Sequence, residues 1–139
     1  MNTNPQFLIG HFGRPGTAVI PVGSGRDDGY SVTLQSDGKI VVAGGSSKGN
    51  NGNDFSLIRL NANGSLDTSF NGTGKAIIPV GSGRDDGYSV TLQSDGKIVV
   101  AGGSSKGNNG NDFSLIRLNA NGSLDTSFNG TGKAIIPVG

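Results

Sequence analysis

The sequence predicts an all-β protein built from two near-identical, four-stranded antiparallel sheets. Three observations lead to this prediction: the chain repeats itself every 58 residues, each repeat carries strand-like runs separated by turn residues, and the composition disfavours helices. Glycine accounts for 26 of the 139 residues, and neither glutamate nor cysteine occurs. Because glycine and asparagine are poor helix formers, this composition excludes a helical bundle.

The internal repeat sets the predicted domain organisation. Residues 16–73 and 74–131 form two full copies that differ at only two positions, and we interpret each copy as one structural unit. Residues 132–139 begin a third copy and are interpreted as its edge strand. Residues 1–15 look like the degenerate end of a preceding copy.

The first half of each copy predicts a hairpin. Gly29–Gln35 alternates apolar and polar residues, which is typical of a strand with one buried face. Ser36-Asp37-Gly38 is a turn sequence. Lys39–Ala43 then follows with apolar residues on both faces, as expected for a strand that is covered on both sides.

The second half of each copy, with the start of the next copy, predicts a loop and two further strands. Gly44–Asn53 is a ten-residue polar loop, and Asp54–Asn61 is a third strand that is apolar on both faces. Lys75–Val80 is the fourth strand. Because its Pro79 cannot donate a hydrogen bond to a ladder, this strand is expected at the edge of the sheet.

The edge-strand sequence recurs at Lys133–Val138 and, with two substitutions, at Thr17–Val22. Counting Thr17–Val22 gives nine strands, one more than two complete sheets need. Such a surplus strand can be exchanged between neighbouring chains. We therefore assign six residues to the interface and edge strands: Ala18, Ile20, Pro21, Ala134, Ile136 and Pro137.

Four antiparallel strands per repeat, with middle strands apolar on both faces, describe one blade of a β-propeller. Blades pack face to face around an axis, which explains why the middle strands need two apolar faces. A β-solenoid is the alternative, but its coils are usually about 20–30 residues long and need no hairpin turns.

Three runs in each copy carry a resemblance to a known family. The runs Asp37–Gly44, Asp54–Asn61 and Gly64–Phe70 resemble the bacterial delta-60 repeat. This resemblance implies tandem propeller blades in a secreted or cell-surface protein. It implies no catalytic residues, because that family has none assigned.

Net charge and hydropathy narrow the range of partners. Eleven basic and ten acidic residues give a formal net charge of +1, which argues against electrostatic binding to nucleic acid. No apolar run approaches the roughly 18 residues of a membrane span, and residues 1–15 lack the pattern of a signal peptide. These observations leave the compartment open.

Two blades are fewer than a closed propeller needs, since such rings usually have about four to eight blades. We therefore expect the chain to close by oligomerisation, with itself as partner. Three or four copies would form a ring of six or eight blades, which we favour over an open filament.

Two groups of charged residues are candidates for chemistry. The pairs Asp27-Asp28 and Asp85-Asp86 precede the innermost strand of each blade, where they could bind a cation or a polar ligand near the axis. The alternative is ordinary turn chemistry. Arg59 and Arg117 lie among apolar neighbours in middle strands and need carboxylate partners, so we predict structural ion pairs between blades, formed with Asp54 or Asp67 and their repeats.

Catalytic and metal-binding constellations are not expected. His11 is the single histidine and there is no cysteine, so one chain can assemble neither a catalytic triad nor a zinc site. We expect no enzyme activity, no cofactor and no metal. The sequence predicts a scaffold or binding module, with a structural filament as the alternative and a ligand or enzymatic site at the ring axis as a further one.

Overall fold

The computed structural model describes residues 16–47, 52–105 and 110–137. Over these residues the chain forms strands and turns and no helix, and so no helix that could cross a membrane. The strands of the first sheet are β1 (Asp27–Leu34), β2 (Ile40–Ser47), β3 (Asn53–Leu60) and β4 (Lys75–Ile78). Those of the second are β5 (Asp85–Leu92), β6 (Ile98–Ser105), β7 (Asn111–Leu118) and β8 (Lys133–Ile136).

Both sheets are antiparallel meanders with strands in chain order, β1-β2-β3-β4 and β5-β6-β7-β8. We call them blade 1 and blade 2. The predicted hairpin turn is present, and Gly38 in it has φ +91°, a conformation that glycine adopts at little cost. The predicted all-β architecture of two four-stranded sheets is confirmed.

The predicted ten-residue loop after Ala43 is too long. β2 continues to Ser47 because its glycines pair with β3, with Gly44 opposite Ser56 and Gly45 opposite Phe55. Because glycine is uncommon in strands, these two glycines made the stretch resemble a loop in the sequence. Residues 48–51 of the predicted loop lie outside the described residues, and its last residue, Asn53, begins β3.

The prediction of a strand at Thr17–Val22 is wrong. These residues are described and lie outside any strand, so Ala18, Ile20 and Pro21 belong to no edge strand. The reason is competition for partners, since the free edges of β3 and β7 are already occupied by β4 and β8. The described part of the chain therefore has eight strands instead of nine.

The fourth strand of each blade is an edge strand, as its proline predicts, but it is shorter than expected. β4 ends at Ile78 and β8 at Ile136, so Pro79 and Pro137 follow the strands directly. Ala134 and Ile136 lie within β8.

Each sheet is offset from the sequence repeats. Blade 1 takes β4 from the repeat at 74–131, and blade 2 takes β8 from residues 132–139. The interpretation of 16–73 and 74–131 as whole blades is corrected accordingly. The interpretation of residues 1–15 falls on a segment outside the described residues.

The hydrophobic core lies between the two blades. We define the front face of a blade by Val41 and Phe55, with their repeats Val99 and Phe113, and the back face by the opposite side of the same strands. The front face of blade 1 packs against the back face of blade 2. The core consists of Val41, Ala43, Phe55, Leu57, Phe70, Ala76 and Ile78 from blade 1, and Val90, Ile98, Val100, Ile116 and Leu118 from blade 2.

Candidate functional site

Two large apolar surfaces remain exposed, the back face of blade 1 and the front face of blade 2. On the back face of blade 1, Val32 is 61% and Leu34 is 69% exposed. On the front face of blade 2, Phe113 is 64% and Ile136 is 50% exposed. These surfaces carry the same residues as the two faces that form the core, and contiguous apolar surface of this kind marks an interaction site.

Polar contacts fix how one blade sits on the next. Arg59 Nη1 donates a hydrogen bond to the Ala120 carbonyl at 2.7 Å. Asn53 Nδ2 donates to Asp86 Oδ1 at 2.8 Å. The backbone N–H of Asn71 donates to the Asn121 carbonyl at 2.7 Å. Because these bonds are directional, they set the register of the interface, which apolar packing alone would leave loosely defined.

Arg59 is held by a buried ion pair. Its Nε donates to Asp67 Oδ2 at 2.8 Å, and its guanidinium carbon lies 4.8 Å from the centre of the Phe70 ring. The Ser69 hydroxyl donates to the same carboxylate at 2.6 Å. This hydroxyl bond, together with the Ser69 backbone N–H, Arg59 and Lys39, holds the pKa of Asp67 well below its ordinary value, against the opposing effect of burial.

Arg117 repeats this arrangement in blade 2. Its Nε lies 2.8 Å from Asp125 Oδ2, and the Ser127 hydroxyl heads the hydrogen bonds that lower the pKa of Asp125. Each ion pair lies within one blade, which corrects the prediction of a pair between blades. The sequence left Asp54 and Asp67 open as partners, and the structure places Asp67 on Arg59.

The first aspartate of each acidic pair begins β1 or β5 and closes the loop that precedes the strand. Asp27 accepts hydrogen bonds from the backbone N–H groups of Val22 and Gly23 at 2.9 and 2.8 Å. Burial alone would raise the pKa of Asp27, but these two bonds stabilise the carboxylate and lower it. Asp85 accepts the equivalent bonds from Val80 and Gly81.

The second aspartate of each pair binds the arginine two residues before it. Asp28 pairs with Arg26 Nε at 2.8 Å, and Asp86 pairs with Arg84 Nε at 2.7 Å. The hydrogen bond and the charge of Asp86 raise the pKa of Arg84. In the part of the chain that the structure describes, no three histidine, cysteine or acidic side chains group closely enough to hold a metal ion.

The sequence did not indicate that Tyr30 of blade 1 and Tyr88 of blade 2 lie close together. The β1–β2 register shifts between Gly29 and Ser31, and the same shift recurs in blade 2, so Tyr30 and Tyr88 lie at β-bulges. Their ring centres are 5.1 Å apart. Burial and the carboxylates of Asp28 and Asp86 raise the pKa of Tyr30. The glycine inside an alternating strand was the available signal, because strand glycines often mark bulges.

Comparison with known proteins identifies the repeat. Residues 35–70 and 93–128 each match the family described as a β-propeller domain of unknown function, DUF5122, and together they span just over half of the chain. The chain belongs to this family. Each matched segment of the DUF5122 repeat contains the two middle strands and the connection to Phe70 or Phe128. No curated protein matches the chain.

The DUF5122 match and the two meander sheets agree with each other. The chain is a tandem β-propeller repeat protein, and its fold is that of a structural or binding module. The Arg59–Asp67 and Arg117–Asp125 ion pairs lie inside the matched segments, whereas β1 and β5, with their acidic pairs and tyrosines, lie outside them.

Proposed function

We propose that this chain is a non-catalytic β-propeller module that assembles with further copies of itself by blade-on-blade packing and serves as a scaffold or binding module. One observation carries the proposal: the apolar faces that form the core between blades 1 and 2 occur a second time, exposed, on the outer sides of the pair. A surface that is already complementary to a face of the same chain needs no other partner.

Ring geometry supports three or four copies. Two blades per chain give six or eight blades, within the usual range of about four to eight. The proposal also assigns the repeat to the delta-60 type, in a secreted or surface setting. The three runs that carry this resemblance all fall inside residues 35–70, the first segment that matches the DUF5122 family.

We propose that edge strands are exchanged where two copies meet. Residues 17–20 match β8 at two of four positions, with Ala18 and Ile20 repeated as Ala134 and Ile136. In the single chain these residues are not part of a strand. In the proposed exchange they take the place of the β8 of another copy at the edge of β7. Exchange of an identical element is a low-cost route to oligomers.

A non-catalytic role fits the hydrogen bonding of the acidic pairs in β1 and β5. Asp27 and Asp85 are held by backbone N–H groups, and Asp28 and Asp86 are held by arginines. Carboxylates that are engaged in this way stabilise loops, which favours turn chemistry over general acid–base catalysis for these four residues.

Light scattering on a sizing column tests the proposal. We expect the 139-residue chain to elute at a discrete mass of three or four copies across the micromolar range. A mass of one chain at every concentration would overturn self-assembly.

A filament is the second candidate, because a head-to-tail contact forms a fibre when its rotation does not close. Electron microscopy separates the two assemblies, since rings have a uniform diameter and filaments grow with concentration.

A further inference from the structure

We propose that the copies join head to tail, with Phe113 of one chain inserted into a cavity on the back face of blade 1 of a second copy. This inference rests on the proposed self-assembly and specifies which surfaces meet and in which register. The occupant of both exposed faces is a second copy of this chain.

The cavity on blade 1 lies at the position that corresponds to the place of Phe55 on the back face of blade 2. It measures about 120 Å³ and is lined by Gly29, Val42 and Gly44, among others. In blade 2 the same positions are Gly87, Val100 and Gly102, and there Phe55 lies close to Gly87. A Cβ added to Gly87 would stand 3.4 Å from Phe55 Cδ2.

The same front-face position is therefore buried in blade 1 and exposed in blade 2. Phe55 of blade 1 has 0% exposure because the back face of blade 2 receives it, whereas Phe113, its repeat, is 64% exposed. The cavity on blade 1 is the matching receptor without its aromatic ring. Inserting Phe113 of a second copy reproduces a packing arrangement that this sequence already adopts.

Gly45 and its repeat, Gly103, show the same difference between a covered face and an open face. A Cβ at Gly45 would collide with the Asp86 carboxylate, so this close approach between blades requires glycine. At its repeat, Gly103, the nearest atoms among the described residues belong to Asn111, whose Nδ2 would be 3.4 Å from such a Cβ. The space beside Gly103 can therefore receive Asp28 of a second copy.

The polar contacts across the core predict their counterparts between copies. Arg59 donates to the Ala120 carbonyl, and the repeat of this pair is Arg117 with Ala62 of the second copy. Asn53 donates to Asp86, and the repeat of this pair is Asn111 with Asp28 of the second copy. Head-to-tail packing places all these contacts in one register.

Symmetric contacts fit these surfaces less well. A back-to-back contact would leave Phe113 in water, and a front-to-front contact would leave the glycine-lined cavity unfilled. Only the head-to-tail contact uses both surfaces, and it uses them in the combination found between blades 1 and 2.

Two variants that each block one face provide the test. Val32→Arg blocks the back face of blade 1, and Phe113→Arg blocks the front face of blade 2. Both residues are exposed in the single chain, so neither change disturbs its core. Ser36→Arg and Ser94→Arg, in exposed hairpin turns, are the matched controls for the added charge.

We expect each face variant alone to have the native mass of one chain, and an equal mixture to double that mass and go no further. The mixture retains one intact front face and one intact back face, which form a single contact. The two control variants should keep the mass of the unmodified protein.

Other outcomes separate the possible failures. Face variants that keep the unmodified oligomeric mass would overturn the head-to-tail contact while leaving self-assembly intact, as would a mixture that stays monomeric. A Val32→Arg chain that dimerises alone would overturn it in favour of a front-to-front contact. An unmodified chain that is monomeric would instead overturn the proposed function. If either arginine variant loses its β-sheet circular dichroism, Val32→Ala and Phe113→Ala replace the pair in the same mixing experiment.

Discussion

The front faces of the two blades have the same strand residues and opposite surroundings. In blade 1 this face is covered by blade 2, and Phe55 and Ala43 are fully buried. In blade 2 the equivalent face is open, and Phe113 and Ala101 are exposed. The comparison shows that the burial of a side chain in a repeat protein is set by the adjacent repeat and not by its own sequence.

The same reversal holds on the back faces. Val90 of blade 2 is 7% exposed, whereas Val32 of blade 1 is 61% exposed. Burial of one such side chain contributes about 1.5–3 kcal/mol, so each open face represents several kcal/mol of unused hydrophobic stabilisation. This imbalance favours association and makes the two blades a matched set for mutagenesis.

Equivalent substitutions in the two blades should differ most in their effect on the free energy of unfolding at Phe55 and Phe113. Phe55→Ala removes a fully buried ring and should lower the free energy of unfolding by about 3–5 kcal/mol. Phe113→Ala should change it by about 0.5 kcal/mol or less, because the ring is exposed in the single chain. Urea denaturation in the Val32→Arg background measures both effects with assembly blocked. Equal losses for the two variants would contradict the asymmetry between the blades.

A smaller difference in the free energy of unfolding is expected when the two ion pairs are broken. The Arg59 side chain is 7% exposed, whereas the Arg117 side chain is 22% exposed. Asp67→Asn should lower the free energy of unfolding by about 2 kcal/mol at neutral pH, because a charge-assisted hydrogen bond to buried Arg59 is lost. Asp125→Asn should cost less, because Arg117 can still be hydrated.

Acid titration provides a check on this prediction. The folded chain holds the pKa of Asp67 below its ordinary value of 3.8, so the carboxylate stabilises the fold above that pH. This contribution is lost progressively as the pH falls below about 4. The stability difference between the unmodified chain and Asp67→Asn should therefore narrow on acidification. A difference that stays constant down to about pH 2 would rule out ionised Asp67 as its source.

The smallest effect is expected at the edge strands. Ile78→Val removes one methylene group from a residue that is 7% exposed and should cost about 1 kcal/mol. Ile136→Val, at a residue that is 50% exposed, should have almost no effect on the single chain. Thermal unfolding of both variants in the Val32→Arg background distinguishes them. A comparable loss at Ile136 would mean that β8 is covered within one chain.

Much of the fold could be predicted from local patterns. The alternation in Gly29–Gln35, the Gly38 turn and Pro79 gave the strand order and the edge position, and the structure confirms both. The errors arose where local signals were weak. Gly44 and Gly45 read as loop residues although they pair in β2, and Thr17–Val22 read as a strand although no partner edge is free.

The candidate site was harder to predict for the same reason. The need of Arg59 for a carboxylate could be read from its apolar neighbours, but the choice between Asp54 and Asp67 depended on how the chain returns after β3. The contact of Asp86 with Asn53 joins different blades and leaves no trace in the local sequence.

The sequence by itself determined the two blades, their strand order and their apolar faces, because hydrogen-bonded meanders and residue alternation are local properties. Only the tertiary structure decided which of the identical faces are covered. Residues with the same local sequence, such as Phe55 and Phe113, differ in nothing except what lies against them, and that neighbour is a long-range contact that no local pattern encodes.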